Sequence, residues 1–228
     1  MSFRGVVEAR CPKGCEAFEA EVWSFIHGRN SPELRELAVA KECNLLLCPA
    51  CGAPFFAEAP YIYFEPEAEI LAFVFPESFQ GQEPRWRRKM NEDFAALKRV
   101  LGEKMPFDME PEVFFGPEGL SELLSGEDFR SEEREVMECV AKELGLSLFH
   151  VSPRFARLHV VPSTLPYSPA QNEGVTRQNL IAGLEKLLAA NDRLEAYQAC
   201  LASLRSGADQ GLPPARRETR RAATSARA

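Results

Sequence analysis

The sequence predicts an α+β fold: a small antiparallel sheet with zinc-ribbon knuckles, packed helices and a long C-terminal helix. Four cysteines stand in two close pairs, and each pair lies in a turn marked by proline and glycine. Residues 18–24 alternate between apolar and polar, which indicates a strand, whereas leucines at steps of three and four over 176–204 indicate a helix. The 228 residues, 45% of them hydrophobic, suffice for one sizeable core or two small ones.

Strand patterns dominate the first part of the chain. Residues 3–10 are expected to lead into the first cysteine pair, and residues 18–24 to leave it as a strand. Ser31 as an N-cap and Pro32 at the first helical position then predict a helix. The further strands expected here are 45–47, which leads into the second cysteine pair, and a hairpin of 55–64 and 69–75.

Helical patterns dominate the second part of the chain. Trp86, Met90 and Phe94 recur at helical spacing and predict a helix over 85–103. The other elements expected are a strand at 113–115, helices at 117–124 and 132–144, and a strand at 146–151.

The last helix is expected over 176–204 and has two interpretations. Its seam consists of Leu180, Leu184, Leu187, Asn191, Leu194, Gln198 and Leu201. The helix packs on its own domain in the first interpretation. In the second it forms a homodimer through residues 176–204, because leucines with one buried Asn set the register of paired helices.

The charge of the chain limits its partners. The formal net charge is -7 at pH 7, which argues against general affinity for nucleic acid. Residues 206–228 hold five arginines against Asp209 and Glu218 and so carry +3, which leaves -10 on residues 1–205.

The compartment follows from what the sequence lacks. Residues 1–11 have no apolar core of the kind found in secretory signal peptides, and no apolar run is long enough to span a bilayer. We therefore expect a cytoplasmic protein without a membrane partner. Thiols stay reduced in the cytoplasm, so the seven cysteines favour metal binding over disulfides.

The two cysteine pairs predict one structural Zn²⁺ ion. Two cysteines in a short loop place their thiolates on one side of the ion, and a second pair completes the tetrahedron. Iron is the less favoured alternative, since four thiolates also hold a single iron. A redox dithiol at the second pair is disfavoured because Gly52 and Pro54 oppose a helix directly after it. The predicted ligands are Cys11, Cys15, Cys48 and Cys51.

The remaining cysteines and the nearest histidine have simpler interpretations. Cys43 stands five residues before the second pair and could substitute as a ligand, but packing at a helix end is preferred. Cys139 and Cys200 lie within helical patterns and are expected in the core. His27 is expected at the surface, in a turn.

Together these features resemble the CpXC domain family of bacteria and archaea. The resemblance covers roughly residues 5–145 and is strongest over 8–76. It implies a metal-binding domain whose four cysteine positions match the four predicted ligands, and it implies no activity. Each turn that carries a cysteine pair is called a knuckle, the first at residues 11–15 and the second at 48–51. The chain departs from the family in the first knuckle, which has three residues between its cysteines where the usual CPxCG has two. The features that carry the resemblance are the two knuckles, the strand at 18–23, the helix start at 31–34, the hairpin at 61–75 and the segment 113–116 with the helices to 144.

Four regions are expected along the chain. Residues 161–174 are rich in proline, serine and threonine, which is typical of a connector, and no periodicity remains beyond Gly207. The regions are a CpXC-like zinc-binding domain at 1–150, a connector at 151–174, the C-terminal helix at 175–205 and a disordered basic tail at 206–228.

The expected function is a zinc-binding structural or adaptor domain that mediates interaction with an unknown protein partner. A site with four cysteine ligands lacks the open coordination position that catalysis uses, so an enzyme is not favoured. One alternative is a nucleic-acid-associated regulator that uses the arginine-rich tail or the basic patch of Arg85, Arg87, Arg88 and Lys89 around Trp86. Another is an iron-binding electron carrier, or an uncharacterised enzyme that uses His150 or His159.

Overall fold

The computed structural model describes residues 1–101, 110–168, 174–206 and 212–216. These residues form an α+β structure, as the sequence predicts. The chain divides into an N-terminal unit, Met1–Gly126, and a C-terminal unit, Glu127–Ala228. The strands are β1 (Phe3–Ala9), β2 (Phe18–His27), β3 (Leu45–Leu47), β4 (Pro54–Phe56), β5 (Tyr61–Glu65), β6 (Ile70–Phe75), β7 (Glu112–Phe115), β8 (Ser147–His150) and β9 (Thr164–Tyr167). The α-helices are α1 (Pro32–Val39), α2 (Glu83–Leu101), α3 (Glu118–Glu143), α4 (Pro153–His159), α5 (Arg177–Ala190) and α6 (Glu195–Ser206).

The N-terminal unit contains a five-stranded sheet in the order β1-β2-β5-β6-β7. The β1–β2 and β5–β6 pairs are antiparallel, as predicted, but β2–β5 and β6–β7 are parallel. Parallel neighbours need a crossover connection. Helix α1 with the β3–β4 hairpin supplies the first crossover and α2 lies on the second, so this sheet is mixed.

Strand β6 lies at the centre of the N-terminal core and is buried along its whole length. Successive side chains of a strand point to opposite faces, so β6 contributes to two hydrophobic clusters. Ile70, Ala72 and Val74 pack with residues of α1 and of the first turns of α3. Leu71, Phe73 and Phe75 pack with Met90 and Phe94 of α2.

The β3–β4 hairpin is a separate two-stranded sheet in the same unit. Leu45 pairs with Phe56 and Leu47 with Pro54 across the hairpin. A small cluster contains Leu46 of this hairpin with Val22 of β2, Val7 of β1, Ala57 and Ala59. This packing holds the hairpin beside the β1–β2 pair.

The C-terminal unit is built on the antiparallel β8–β9 pair and the helices α4, α5 and α6. Its core contains the expected leucine seam: Leu180, Leu184 and Leu187 are at most 1% exposed, and Leu201 is 7% exposed. The seam therefore packs within one chain. A homodimer through residues 176–204 stays a prediction that this leucine pattern no longer supports.

The long C-terminal helix that the sequence predicts is two helices. Helix α5 ends at Ala190 and α6 begins at Glu195, and Asn191 between them has an extended backbone with φ -149° and ψ 104°. The Oδ1 atom of Asn191 accepts a hydrogen bond from the backbone N–H of Arg193 at 3.1 Å. An asparagine side chain that satisfies the backbone in this way competes with helix continuation.

The regions predicted along the chain also differ from the observed division. The unit boundary falls between Gly126 and Glu127, within α3, and not near residue 150. The helices expected at 117–124 and 132–144 are one continuous helix, α3. The expected connector at 151–174 contains α4 and β9. Prolines in this segment stand at a helix start and within a short edge strand, which are positions that tolerate proline, so they do not mark a connector.

Little of the expected basic tail at 206–228 is described. Ser206 ends α6, and residues 207–211 and 217–228 lie outside the described residues. Within 212–216, Ala215 forms an antiparallel bridge with Val151, and the backbone N–H of Arg216 donates to the carbonyl of His150 at 2.8 Å. These contacts place the segment at the edge of β8.

Candidate metal centre

The first cysteine pair lies in the connection between β1 and β2. The backbone N–H of Gly14 donates to the carbonyl of Cys11 at 3.0 Å and closes a tight turn. Gly14 has a φ of +79°, a conformation that glycine adopts without a steric penalty. The N–H of Lys13 donates to the Sγ atom of Cys11 at 3.4 Å. Gly14 thus allows the turn to close despite the extra residue, and Cys15 follows it directly.

The second cysteine pair lies in the connection between β3 and β4. The N–H of Cys48 donates to the carbonyl of Ala53 at 3.0 Å, and the N–H of Gly52 donates to the carbonyl of Cys48 at 2.8 Å. Gly52 has a φ of +69°, which again favours glycine. The hairpin register therefore fixes where Cys48 and Cys51 point.

The structure brings all four predicted ligands together. The Sγ atoms of Cys11, Cys15, Cys48 and Cys51 lie within 4.8 Å of one another. The Sγ atoms of Cys11 and Cys51, which belong to different knuckles, are 3.7 Å apart. A tetrahedron with metal–sulfur bonds of about 2.3 Å has edges of about 3.8 Å. The donor set and its spacing therefore fit a single tetrahedral ion, and the distance is far too long for a disulfide.

The four sulfurs interact strongly with one another. Burial raises the pKa of Cys48, but hydrogen bonds from the backbone N–H groups of Cys51 and Ala50 and from the side chains of Cys51 and Cys11 together outweigh it, and the pKa falls to about 7. Hydrogen bonds to Cys51, Cys48 and Cys11 raise the pKa of Cys15 to about 12. Four thiolates cannot ionise side by side without a compensating charge. A bound metal cation would supply that charge.

The other three cysteines lie outside the four-sulfur cluster. Cys43 is 3% exposed, its Sγ donates to the carbonyl of Leu34 at 3.8 Å, and burial raises its pKa to about 12. It packs at the end of α1, which confirms the preferred interpretation. Cys200 is buried in the C-terminal core, as predicted. Cys139 is exposed, so its placement in the core was wrong: it lies on a solvent-facing position of α3.

His27 is not the surface residue that the sequence predicts. It is the last residue of β2, half-buried, with its ring edge-on to Phe64 at 5.2 Å between centroids. Its backbone N–H donates to the Oγ atom of Ser2 at 3.1 Å, and burial lowers its pKa. The sequence missed this because the strand continues to residue 27, where a turn was expected.

The residues proposed for nucleic-acid binding lie on α2. Trp86 stacks on Phe79 at 4.4 Å and packs against the core cluster of β6 and α2. Its ring is therefore committed to the N-terminal core. The basic side chains around it are exposed, and two of them form ion pairs one turn away, Arg87 with Glu83 and Lys89 with Asp93.

The two histidines considered for an enzyme both lie in the C-terminal unit. The His159 ring packs on Phe155 at a tilt of 31°, with 4.1 Å between ring centroids, and lines a cavity of about 320 Å³ in the C-terminal unit. Among the described residues that line this cavity there is no carboxylate. His150 lies at the end of β8, and burial lowers its pKa.

A cleft of about 890 Å³ adjoins the first knuckle and was not predicted from the sequence. Its walls come from segments that are far apart in the chain: 10–12, 43–44, 55–61, 74–81 and 116–118. Each segment is short and has no periodicity of its own. The pair of adjacent phenylalanines, Phe55 and Phe56, is the one local signal that could have indicated it.

Among the described residues, every helix is too short or too polar to span a bilayer. A family model described as "CpXC protein" matches residues 9–124, which is just over half of the 228 residues. The matched segment includes all four clustered cysteines. No curated protein and no solved structure matches the chain.

Proposed function

This chain belongs to the CpXC protein family, and we propose on that premise that its four clustered cysteines hold one structural Zn²⁺ ion in a protein-binding module. The observation that carries the proposal is the convergence of four sulfur atoms within 4.8 Å from two separate hairpin connections. Cys11 and Cys48 are buried, Cys15 is half-buried and Cys51 is exposed. The protein itself thus covers two of the four cysteines fully and Cys15 in part.

A structural role follows from how the knuckles are supported. Each knuckle is stabilised by a few backbone hydrogen bonds, and the hairpin that carries the second pair has strands of three residues. Such a short hairpin is marginal without further support. Zinc bound by Cys48 and Cys51 on one side and by Cys11 and Cys15 on the other would join this hairpin to β1 and β2.

The proposed role is adaptor and not enzyme. Four cysteine ligands fill the coordination sphere of zinc and leave no position for a substrate or an activated water. A reducing compartment such as the cytoplasm suits four free thiols, so we place the protein there. Binding of nucleic acid is less favoured, because residues 1–126 hold 13 Lys and Arg against 21 Asp and Glu and so carry -8.

The test of the metal is its identity and its stoichiometry. We expect mass spectrometry of the purified native protein to show one zinc per chain and a colourless solution. A red protein with thiolate-to-iron absorption would support the electron carrier instead. A protein isolated from a reducing medium with neither metal would contradict the proposal.

The test of the role uses paired cysteine variants. Cys48→Ser removes one ligand, and we expect the variant to lose zinc. Because zinc binding contributes strongly to the stability of such sites, the melting temperature of the N-terminal unit should fall by more than about 10 °C. Cys139→Ser is the matched control, since Cys139 is exposed and lies outside the cluster. If both variants kept full zinc content and the native melting curve, the ligand assignment would be wrong.

A further inference from the structure

The cleft beside the first knuckle has an apolar lining. It measures about 890 Å³, which is near the upper end of the range for ligand sites, about 300–1,000 Å³. Tyr61 and Val74 lie in its lining and are buried, and Phe55 is half-buried. Phe56 also lines it and is 46% exposed. An exposed aromatic side chain at the mouth of an apolar cleft is characteristic of a contact surface for a partner.

The rim of the cleft is acidic. Three exposed carboxylates line it: Glu58, Glu77 and Glu118. Arg10 is the one basic residue among the described lining residues, and both its Nε and its NH2 group donate to Glu8, at 3.1 Å and 2.8 Å. The charge that the rim presents is therefore negative, as is that of the N-terminal unit as a whole.

We propose that this cleft binds an extended segment of a partner protein in which an apolar side chain is flanked by lysine or arginine. The apolar side chain enters between Phe56 and the buried floor, and the basic side chains meet the rim carboxylates. Charge complementarity of this kind speeds association and excludes acidic partners such as nucleic acid. The inference rests on the proposed function and names the partner of the adaptor.

The cleft is coupled to the metal centre through the chain. Arg10 and Pro12 on its lining flank Cys11, and Phe55 and Phe56 belong to β4, the strand that follows the second knuckle. Two walls of the cleft thus depend on the two knuckles. Zinc would fix their separation, so the zinc-loaded protein is the form that we expect to bind.

The test uses the full-length, zinc-loaded chain on two peptide arrays. In one array, short peptides carry Leu or Phe between lysines or arginines; in the matched array, Glu and Asp replace the basic residues. We expect retention on the basic array alone. The tightest peptide, labelled with fluorescein, is then titrated by anisotropy, and its affinity should fall steeply as salt is raised.

Two pairs of variants locate the binding surface. Phe56→Ala should weaken the labelled peptide by about tenfold or more. Leu47→Ala is its control, because Leu47 lies on the same hairpin, is 68% exposed and does not line the cleft. Glu58→Gln with Glu77→Gln should weaken binding and flatten its salt dependence, whereas Glu33→Gln with Glu36→Gln, both exposed on α1, should change neither.

Several results would overturn the inference. These are equal retention on both arrays, equal effects of a variant and its control, binding of a single-stranded oligonucleotide in place of the peptide, or self-association through the cleft. Zinc content and a melting curve accompany every variant. A chain that holds zinc but binds no peptide overturns only the docking site, whereas a chain without zinc overturns the proposed function.

Discussion

Asn44 hydrogen-bonds to both backbone polar groups of Trp23 in β2. The backbone N–H of Trp23 donates to Oδ1 of Asn44 at 2.7 Å, and Nδ2 of Asn44 donates to the carbonyl of Trp23 at 2.9 Å. Asn44 has a φ of +59°, which asparagine tolerates better than most residues. One side chain thus joins the segment before β3 to β2, directly ahead of the second knuckle.

We therefore predict that Asn44→Ala lowers the free energy of unfolding by about 2–4 kcal/mol, since it removes two hydrogen bonds and strains a positive φ. Asn44→Gly removes the same hydrogen bonds but does not strain the positive φ. It should therefore lower the free energy of unfolding by about 1 kcal/mol less than Asn44→Ala does. Urea unfolding of the zinc-loaded chain measures both. Equal stability of the alanine variant and wild type would show that these hydrogen bonds contribute nothing.

The second prediction concerns zinc and pH. Hydrogen bonds to its neighbours raise the pKa of the Cys15 thiol to about 12, so this thiol holds its proton at neutral pH and must release it when zinc binds. Apparent affinity for zinc should rise with pH, by about tenfold per pH unit for each proton released. Competition against a chelator of known pH dependence measures this. An affinity that does not change with pH would contradict the protonated state of Cys15.

The third prediction concerns the contact of α5 with β9. A Cβ atom added at Gly183 would lie 2.4 Å from the carbonyl oxygen of Pro166 and 2.4 Å from the Cα of Tyr167. Both are backbone atoms and cannot rotate away. Gly183→Ala should destabilise the C-terminal unit by about 2 kcal/mol or more, even though alanine favours a helix by about 1 kcal/mol.

Gly174→Ala is the control for this prediction, because a Cβ at Gly174 meets nothing within 4 Å and lies in the same unit. Thermal unfolding followed by circular dichroism compares the two variants. Stabilisation by Gly183→Ala would mean that α5 and β9 can separate without cost.

The fourth prediction decides between the two interpretations of the leucine seam. Leu184 is 0% exposed within its own unit, so Leu184→Ala should cost about 3 kcal/mol. Leu158→Ala, at a position of α4 that is 67% exposed, should cost little. The melting temperature of the wild type should not depend on protein concentration. A rise in melting temperature with concentration would instead support a homodimer.

The four candidate metal ligands could be predicted from the sequence because their signal is local. Cysteines in a turn with proline and glycine report the conformation of a few neighbouring residues, and Gly14 and Gly52 both have the positive φ that such turns need. The preference for Cys43 as a packing residue was confirmed for the same reason, since its position at the end of α1 is read from adjacent residues.

The features that the sequence missed depend on contacts between distant segments. Leucine spacing continues from Leu187 to Leu194 across the break between α5 and α6, because periodicity records which side is buried and not whether the backbone hydrogen bonds continue. The exposure of Cys139 and the half-burial of His27 depend on which neighbours cover them. The cleft beside the knuckle joins five segments, and no single one of them indicates it.

The burial of β6 on both faces has a consequence for sequence variation. In a strand with one solvent-exposed face, every second position can accept a polar residue. Strand β6, Ile70–Phe75, has no such position, because all six residues are buried. Saturation mutagenesis should therefore find six consecutive intolerant positions in β6, in contrast to the exposed edge strand β1, which should be permissive. The amide protons of β6 should also be among the slowest in the N-terminal unit to exchange with deuterium, since any opening at β6 must separate both helical layers from the sheet.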